Sequence, residues 1–138
     1  LLIAELSRAA LAGLWFVATS RGKDSMYRLD WDRALVAVTS GPPRPPNALV
    51  EELRVRGRML GGFLDPLEDA LFLTVALRRL GLAASFHVGR ELVPRVPPAG
   101  LFAWVQCGDE VVSTSLPVRE QYVEVLCAQA VPPAGSRV

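Results

Sequence analysis

Between Asp65 and Gly81 the chain reads D-P-L-E-D-A-L-F-L-T-V-A-L-R-R-L-G, and no other segment limits the fold as strongly. Leu67, Ala70, Leu71, Leu73, Val75, Ala76, Leu77 and Leu80 leave a helix almost no polar side. A helix apolar around nearly its whole circumference has to be buried on all sides. Asp65 is a good N-cap, Pro66 suits the first helical position, and Glu68 stands where a capping box needs it. Gly81 supplies the stop.

After Gly81 the periodicity changes. Ala84 to Val88 alternates as a half-buried strand does. Phe102 to Gln106 and Glu110 to Thr114 flank Cys107-Gly108-Asp109, a hairpin with a glycine turn. Tyr122 to Cys127 reads as a further strand, and Pro94, Pro97, Pro98 and Gly100 mark a loop. Helices first and strands later define an α+β fold: N-terminal helices and a central buried helix packed on a small antiparallel sheet.

Upstream, Leu1 to Val17 fits a helix with a wide apolar face through Leu2, Leu6, Ala9, Ala10 and Gly13. Leu35-Val36-Ala37-Val38 reads either as a strand or as a helix end, with Trp31 anchoring that stretch to the core. Gly41 to Pro46 (G-P-P-R-P-P) is excluded from regular helix and central strand and reads as a stiff linker. Asn47 offers an N-cap for a helix over Ala48 to Leu60. Leu49, Val50, Leu53 and Val55 form its apolar stripe, and Arg54, Arg56 and Arg58 its wet one. The tail from Val131 is expected to fray. The expected organisation is one domain over 1–138, with a helical and irregular part at 1–46 containing the proline-rich loop 41–46, and a core at 47–130.

A length of 138 residues suits one core, and 51% apolar residues exclude a disordered chain. A net charge of +1 gives no electrostatic case for nucleic acid. The charge-free run Ala9 to Ser20 is too short to span a bilayer, so no membrane is expected. The opening Leu1-Leu2-Ile3, without methionine, reads as a trimmed or processed start. Cys107 and Cys127 are too few for a disulfide scaffold and read as free thiols in a reducing cytoplasm, although a bridge between their strands stays open. No Cys/His/Asp cluster has zinc spacing and no phosphate loop is present, so neither a metal nor a cofactor is expected. Arginine in place of lysine, with many Ala, Gly and Pro, is the composition of a GC-rich bacterial genome.

The helix Leu67-x-x-Ala70-Leu71, its R-R-x-G end at Arg78 to Gly81, and the hairpin Ala103-Trp104-Val105 together resemble the C-terminal peptidase region of lasso-peptide B proteins. That family is transglutaminase-like and papain-type. The resemblance covers about Asn47 to Cys127. It implies a cysteine just before the helix, a histidine just before A-W-V, and an acid on the returning strand. Here those positions hold Pro66, Phe102 and Ser113 or Thr114. A proline removes the thiol and a backbone N–H, and a phenylalanine removes the base, so no cysteine-peptidase activity is expected.

What remains is a cleft with altered walls. Pro66, Phe102, Trp104 and Thr114 are the candidate ligand-binding residues, and the aromatics favour an apolar ligand if they line a pocket. Asp65, Glu68 and Asp69 read as capping and dipole compensation. The sharper alternative makes Asp65 a general acid or base in the former cleft. Trp15, Trp31, Phe102 and Trp104 are otherwise core residues. His87 reads as an ordinary strand histidine, Cys107 as a small buried residue, and Arg78-Arg79 as a solvated face. Two functions are compatible with this. One is a repurposed domain of bacterial natural-product assembly that binds and cyclises an apolar substrate by proximity and orientation. The other is a non-catalytic pseudo-peptidase that holds a precursor peptide or a partner enzyme. A closed aromatic pocket favours the first, and a groove beside an open strand edge the second.

Overall fold

A computed structural model describes residues 2–22, 27–31, 45–93 and 99–129. Three long helices come first: α1 (Leu2–Ser20), α2 (Pro46–Gly61) and α3 (Pro66–Arg79). They are followed by β1 (Ala84–Glu91), β2 (Leu101–Cys107), β3 (Glu110–Val111), the short α4 (Val118–Gln121) and β4 (Tyr122–Ala128). The strands form one antiparallel sheet in the order β3-β2-β1-β4. The α+β arrangement expected from the sequence is the observed one. The reading of Leu35 to Val38, most of the proline-rich loop, Pro94, Pro97, Pro98 and the tail from Val131 lie outside the described residues.

α3 is the central element. Every residue from Ala70 to Arg78 is buried. Its first turn carries the full capping box: the Glu68 amide donates to Asp65 Oδ1 at 2.8 Å, and the Asp65 amide donates to Glu68 Oε1 at 3.3 Å. α1 crosses α3 at Gly13, where an added Cβ would lie 2.7 Å from the Phe72 carbonyl oxygen. α2 meets the same ring at Gly57, where a Cβ would lie 2.9 Å from Phe72 Cζ. The Phe72 side chain thus sits between two helices that each give up a side chain to admit it. Ala84, Phe86 and Val88 of β1 and Ala103, Val105 and Cys107 of β2 join the helices in one apolar cluster. Alternate residues of these strands face the other way.

Several expectations need correction. α2 starts at Pro46, with Pro45 as its cap residue, and no side chain caps it. Asn47 instead donates its amide to Glu110 Oε1 at 3.4 Å. The buried stripe of α2 is Leu49, Val50, Leu53 and Gly57, while Val55 is exposed. A spacing of four residues places Gly57 beneath Leu53, and Val55 falls on the opposite side. Trp15 is exposed rather than core. β3 stops after two residues. Val112 still donates its amide to the Val105 carbonyl, but the Val105 amide donates to the Ser113 hydroxyl at 2.9 Å. A side-chain oxygen takes the place of the next ladder bond, so the strand has no need to continue.

Arg78 was expected in solvent with Arg79. It is 1% exposed, and Arg79 alone is outside. Its Nε donates to the Ala84 carbonyl at 2.9 Å, its Nη2 donates to the Ala128 carbonyl at 3.1 Å, and the ring of Trp31 lies 5.0 Å from its guanidinium carbon. Trp31 in turn packs between Phe16 and Phe86, at ring distances of 5.1 and 5.4 Å, and so anchors its stretch to the core as expected. Arg78 Nη1 is buried with no hydrogen-bond partner among the described residues. Burial depresses the guanidinium pKa from its ordinary value, and Cys127 partly opposes that shift.

The end of α1 is tied to the start of α3 through Glu68. Arg21 Nε donates to Glu68 Oε2 at 2.6 Å, Arg21 Nη2 also contacts that oxygen, and the Tyr27 hydroxyl donates to it at 2.9 Å. Burial by itself would raise the Glu68 carboxyl pKa. The hydrogen bonds from Arg21, Tyr27 and the Asp65 amide outweigh burial and hold it below its ordinary 4.5. A carboxyl with a depressed folded pKa contributes stability above its unfolded pKa, and that contribution disappears as pH falls through the folded value. Acid unfolding monitored by circular dichroism is therefore expected to steepen below about pH 4.5. Glu68→Gln, which keeps the capping amide–oxygen contact, is expected to flatten that limb by lowering neutral stability while leaving acid stability nearly unchanged.

Candidate functional site

A cavity of about 710 Å³ opens between the start of α3, the outer face of α2 and the β2–β3 hairpin. Asp65, Pro66, Phe102 and Thr114 all line it, together with Ser113. Pro66 and Phe102 thus face one hollow. Trp104 is not among its lining residues. It is 2% exposed and lies on the far face of β2, with Phe102 and Tyr122 at ring distances of 6.5 and 6.4 Å. Phe102 also stacks on Tyr122 at 5.4 Å, so its ring belongs to that aromatic layer as well as to the cavity edge.

The cavity is more polar than the aromatic signal suggested. Arg54 crosses its floor and donates from Nη2 to Asp69 Oδ2 at 2.9 Å and to the Ser113 carbonyl at 2.6 Å. Asp69 is therefore already paired, and the Asp65 carboxylate is engaged in the cap of α3. Arg58 lies over the exposed ring of Phe63 at 5.8 Å, at the rim. Of the three arginines read as a wet face, Arg58 fits that description. Arg54 is half-buried in the cleft, and Arg56 reaches the Ser7 hydroxyl at 3.4 Å. Apolar walls come from Leu64, Pro66, Phe72 and Phe102.

One wall of the cavity is an open strand edge. β2 pairs along its whole length with β1, but with β3 only at Gln106 and Cys107. The Val105 amide and carbonyl are directed to the β3 side. Backbone groups alternate along an antiparallel strand, so those of Ala103 and Leu101 are directed to the same side. Among the described residues no strand pairs with them there. Ala103 itself lines the cavity.

The other face of the sheet carries a polar cluster that the sequence did not disclose. His87 is 4% exposed and stacks on Trp104, with ring centroids 5.7 Å apart and planes within 7°. Its Nε2 is 2.7 Å from Ser85 Oγ, and its Nδ1 contacts Glu124 Oε1. The connectivity Ser–His–Glu is that of a nucleophile, a base and an orienting acid. Ser85, however, is buried, its hydroxyl is shared with the Gln106 carbonyl at 3.3 Å, and it does not line the cavity. With its hydroxyl buried and bonded onward to a carbonyl, Ser85 serves here to hold the His87 ring in place. Both cysteines are free. Burial, with Glu110 nearby, pushes the Cys107 thiol up to about 11, which makes it unreactive at neutral pH.

No family model, curated protein or solved structure matches the chain. Among the described residues no helix is long and apolar enough to cross a membrane.

Proposed function

We propose that this chain is a peptide-binding domain of bacterial natural-product assembly, built on a transglutaminase-like scaffold that has lost its thiol chemistry. It holds an extended segment of a precursor peptide or partner enzyme against β2, with apolar side chains in the cavity between α3 and the hairpin. The observation that carries this reading is the β3-side edge of β2 at Leu101 to Ala103, which pairs with no strand among the described residues and whose Ala103 lines that cavity. Added strands gain main-chain hydrogen bonds from such an edge and side-chain specificity from the pocket beside it. The resemblance to lasso-peptide B proteins supports it, because Pro66 and Phe102, its two altered positions, flank the same hollow. Arg54, Arg58, Glu51 and Asp69 give the cleft both signs of charge, which suits a peptide better than a hydrocarbon.

The second reading, cyclisation of a bound apolar substrate, is favoured by the cavity volume, which lies within the usual range of small-molecule sites. In that reading Asp65 would supply acid or base help. Its capping bond to the Glu68 amide competes with that role.

Selection from a random-peptide phage library tests the peptide reading. Selected peptides are expected to lose about tenfold or more in affinity when alternate backbone amides are N-methylated, and to tolerate the intervening ones, because only alternate amides face β2. Ala103→Pro removes an outward amide without breaking the ladder to β1, and is expected to weaken the same peptides to a similar degree. A flat N-methylation profile, or no enrichment above an unrelated control protein, would remove the reading. Mass detection of a ring-closed product from a linear apolar substrate would replace it with the second.

A further inference from the structure

His87, Glu124 and Cys127 place one imidazole nitrogen, one carboxylate oxygen and one sulfur within 4.8 Å of one another on the face of the sheet away from the helices. None of them belongs to the cleft. We propose that these three residues form a binding site for a divalent transition metal of the zinc class, with a fourth position open to water or a ligand.

The donor set is the first ground. Imidazole, thiolate and carboxylate are the three protein ligands that zinc accepts, and three of them with one vacant position is the pattern of reactive zinc sites. Around a tetrahedral ion of that size, ligand atoms stand about 3.5 Å apart. Glu124 and Cys127 are exposed side chains, so reaching that spacing requires only rotamer adjustment at their ends.

The second ground is an irregularity in the backbone. His87 and Cys127 are direct partners across β1 and β4. Glu124 is three residues from Cys127 and in a regular strand would point to the opposite face. The register shifts between Val88 and Gly89, so that Gly89 pairs with Glu124. This bulge turns Glu124 back onto the side of His87 and Cys127. Bulges of this kind commonly re-aim a side chain beside a functional site.

The third ground is the ordering of His87. With Nδ1 toward the other two residues, Nε2–H is left to donate to Ser85 Oγ, and the Ser85 hydroxyl donates onward to the Gln106 carbonyl. Trp104 fixes the ring plane. An outer hydrogen bond on the distal nitrogen is the usual companion of a metal-ligating histidine. Charge is also balanced: a thiolate and a carboxylate neutralise a divalent ion. A divalent ion binding there displaces the Cys127 thiol proton into the buffer.

Cobalt(II), titrated into the whole chain, is the probe. The expected result is one equivalent bound, a sulfur-to-cobalt charge-transfer band in the near ultraviolet, d–d absorption of tetrahedral intensity, and displacement by zinc. Cys127→Ser, at an exposed position, is expected to abolish the charge-transfer band, and Glu124→Gln to weaken cobalt about tenfold or more. Cys107→Ser is expected to leave both unchanged. The site is overturned if the unaltered chain binds no cobalt at low micromolar concentration, or if the band survives in Cys127→Ser. Circular dichroism of each variant establishes that it is folded, and Cys127→Ser with Glu124→Gln makes the test independent of the buried His87.

Discussion

Arg78→Ala is expected to destabilise the protein by about 3–5 kcal/mol in urea unfolding. The guanidinium closes two carbonyls, at Ala84 and Ala128, which lie at the ends of β1 and β4 where the ladder runs out. Each carbonyl left without a partner costs about 1–3 kcal/mol. The lost side chain also uncovers the face of Trp31. A buried cation carries a desolvation penalty, so its removal returns part of the loss. Arg78→Met separates the two effects. It refills the volume and leaves the carbonyls open, and a loss of about 2 kcal/mol is expected. If the methionine variant matched the parent, the guanidinium would contribute packing only.

Phe72→Ala is expected to cost a similar amount, about 3–5 kcal/mol, by a different route. The ring fills the space left by Gly13 of α1 and Gly57 of α2, so alanine would leave a void where three helices meet. Neither glycine tolerates a side chain while the ring is present: a Cβ at Gly57 would meet the ring at 2.9 Å. In a Phe72→Leu background Gly57→Ala is expected to recover about 1 kcal/mol, since alanine is the better helix residue and the ring edge is gone. A double-mutant cycle measures this directly. Additive effects at the two positions would show that the ring and the glycine do not depend on each other.

The sequence disclosed α3 because its signals agree. An unbroken apolar surface, a capping box and a proline at the first position all require the same buried helix. β1, β2 and β4 were legible from alternation. What stayed hidden depends on single side chains that act across the chain. The Ser113 hydroxyl ends β3 early by taking a backbone bond. Arg78 and Arg79 look alike in sequence, yet adjacent helix positions point about 100° apart, and only one is directed inward. The cleft was legible to the extent that Asp65, Pro66, Phe102 and Thr114 share it. Trp104 was placed there because it follows Phe102 closely, and its burial beneath Phe102 and Tyr122 is set by partners on β1 and β4. The His87 cluster could not be read from spacing. His87 and Glu124 are 37 residues apart, and the backbone bulge that aligns Glu124 leaves no mark in composition.

Glu68 has two duties: it shapes the first turn of α3, and it anchors Arg21 and Tyr27 from a stretch more than forty residues earlier. That same turn supplies Asp65 and Pro66 to the floor of the cleft. The floor is therefore hinged to the exit of α1 through one carboxylate. A strand settling against β2 and pressing on Pro66 would load the hydrogen bonds of Arg21 and Tyr27 through the same carboxylate.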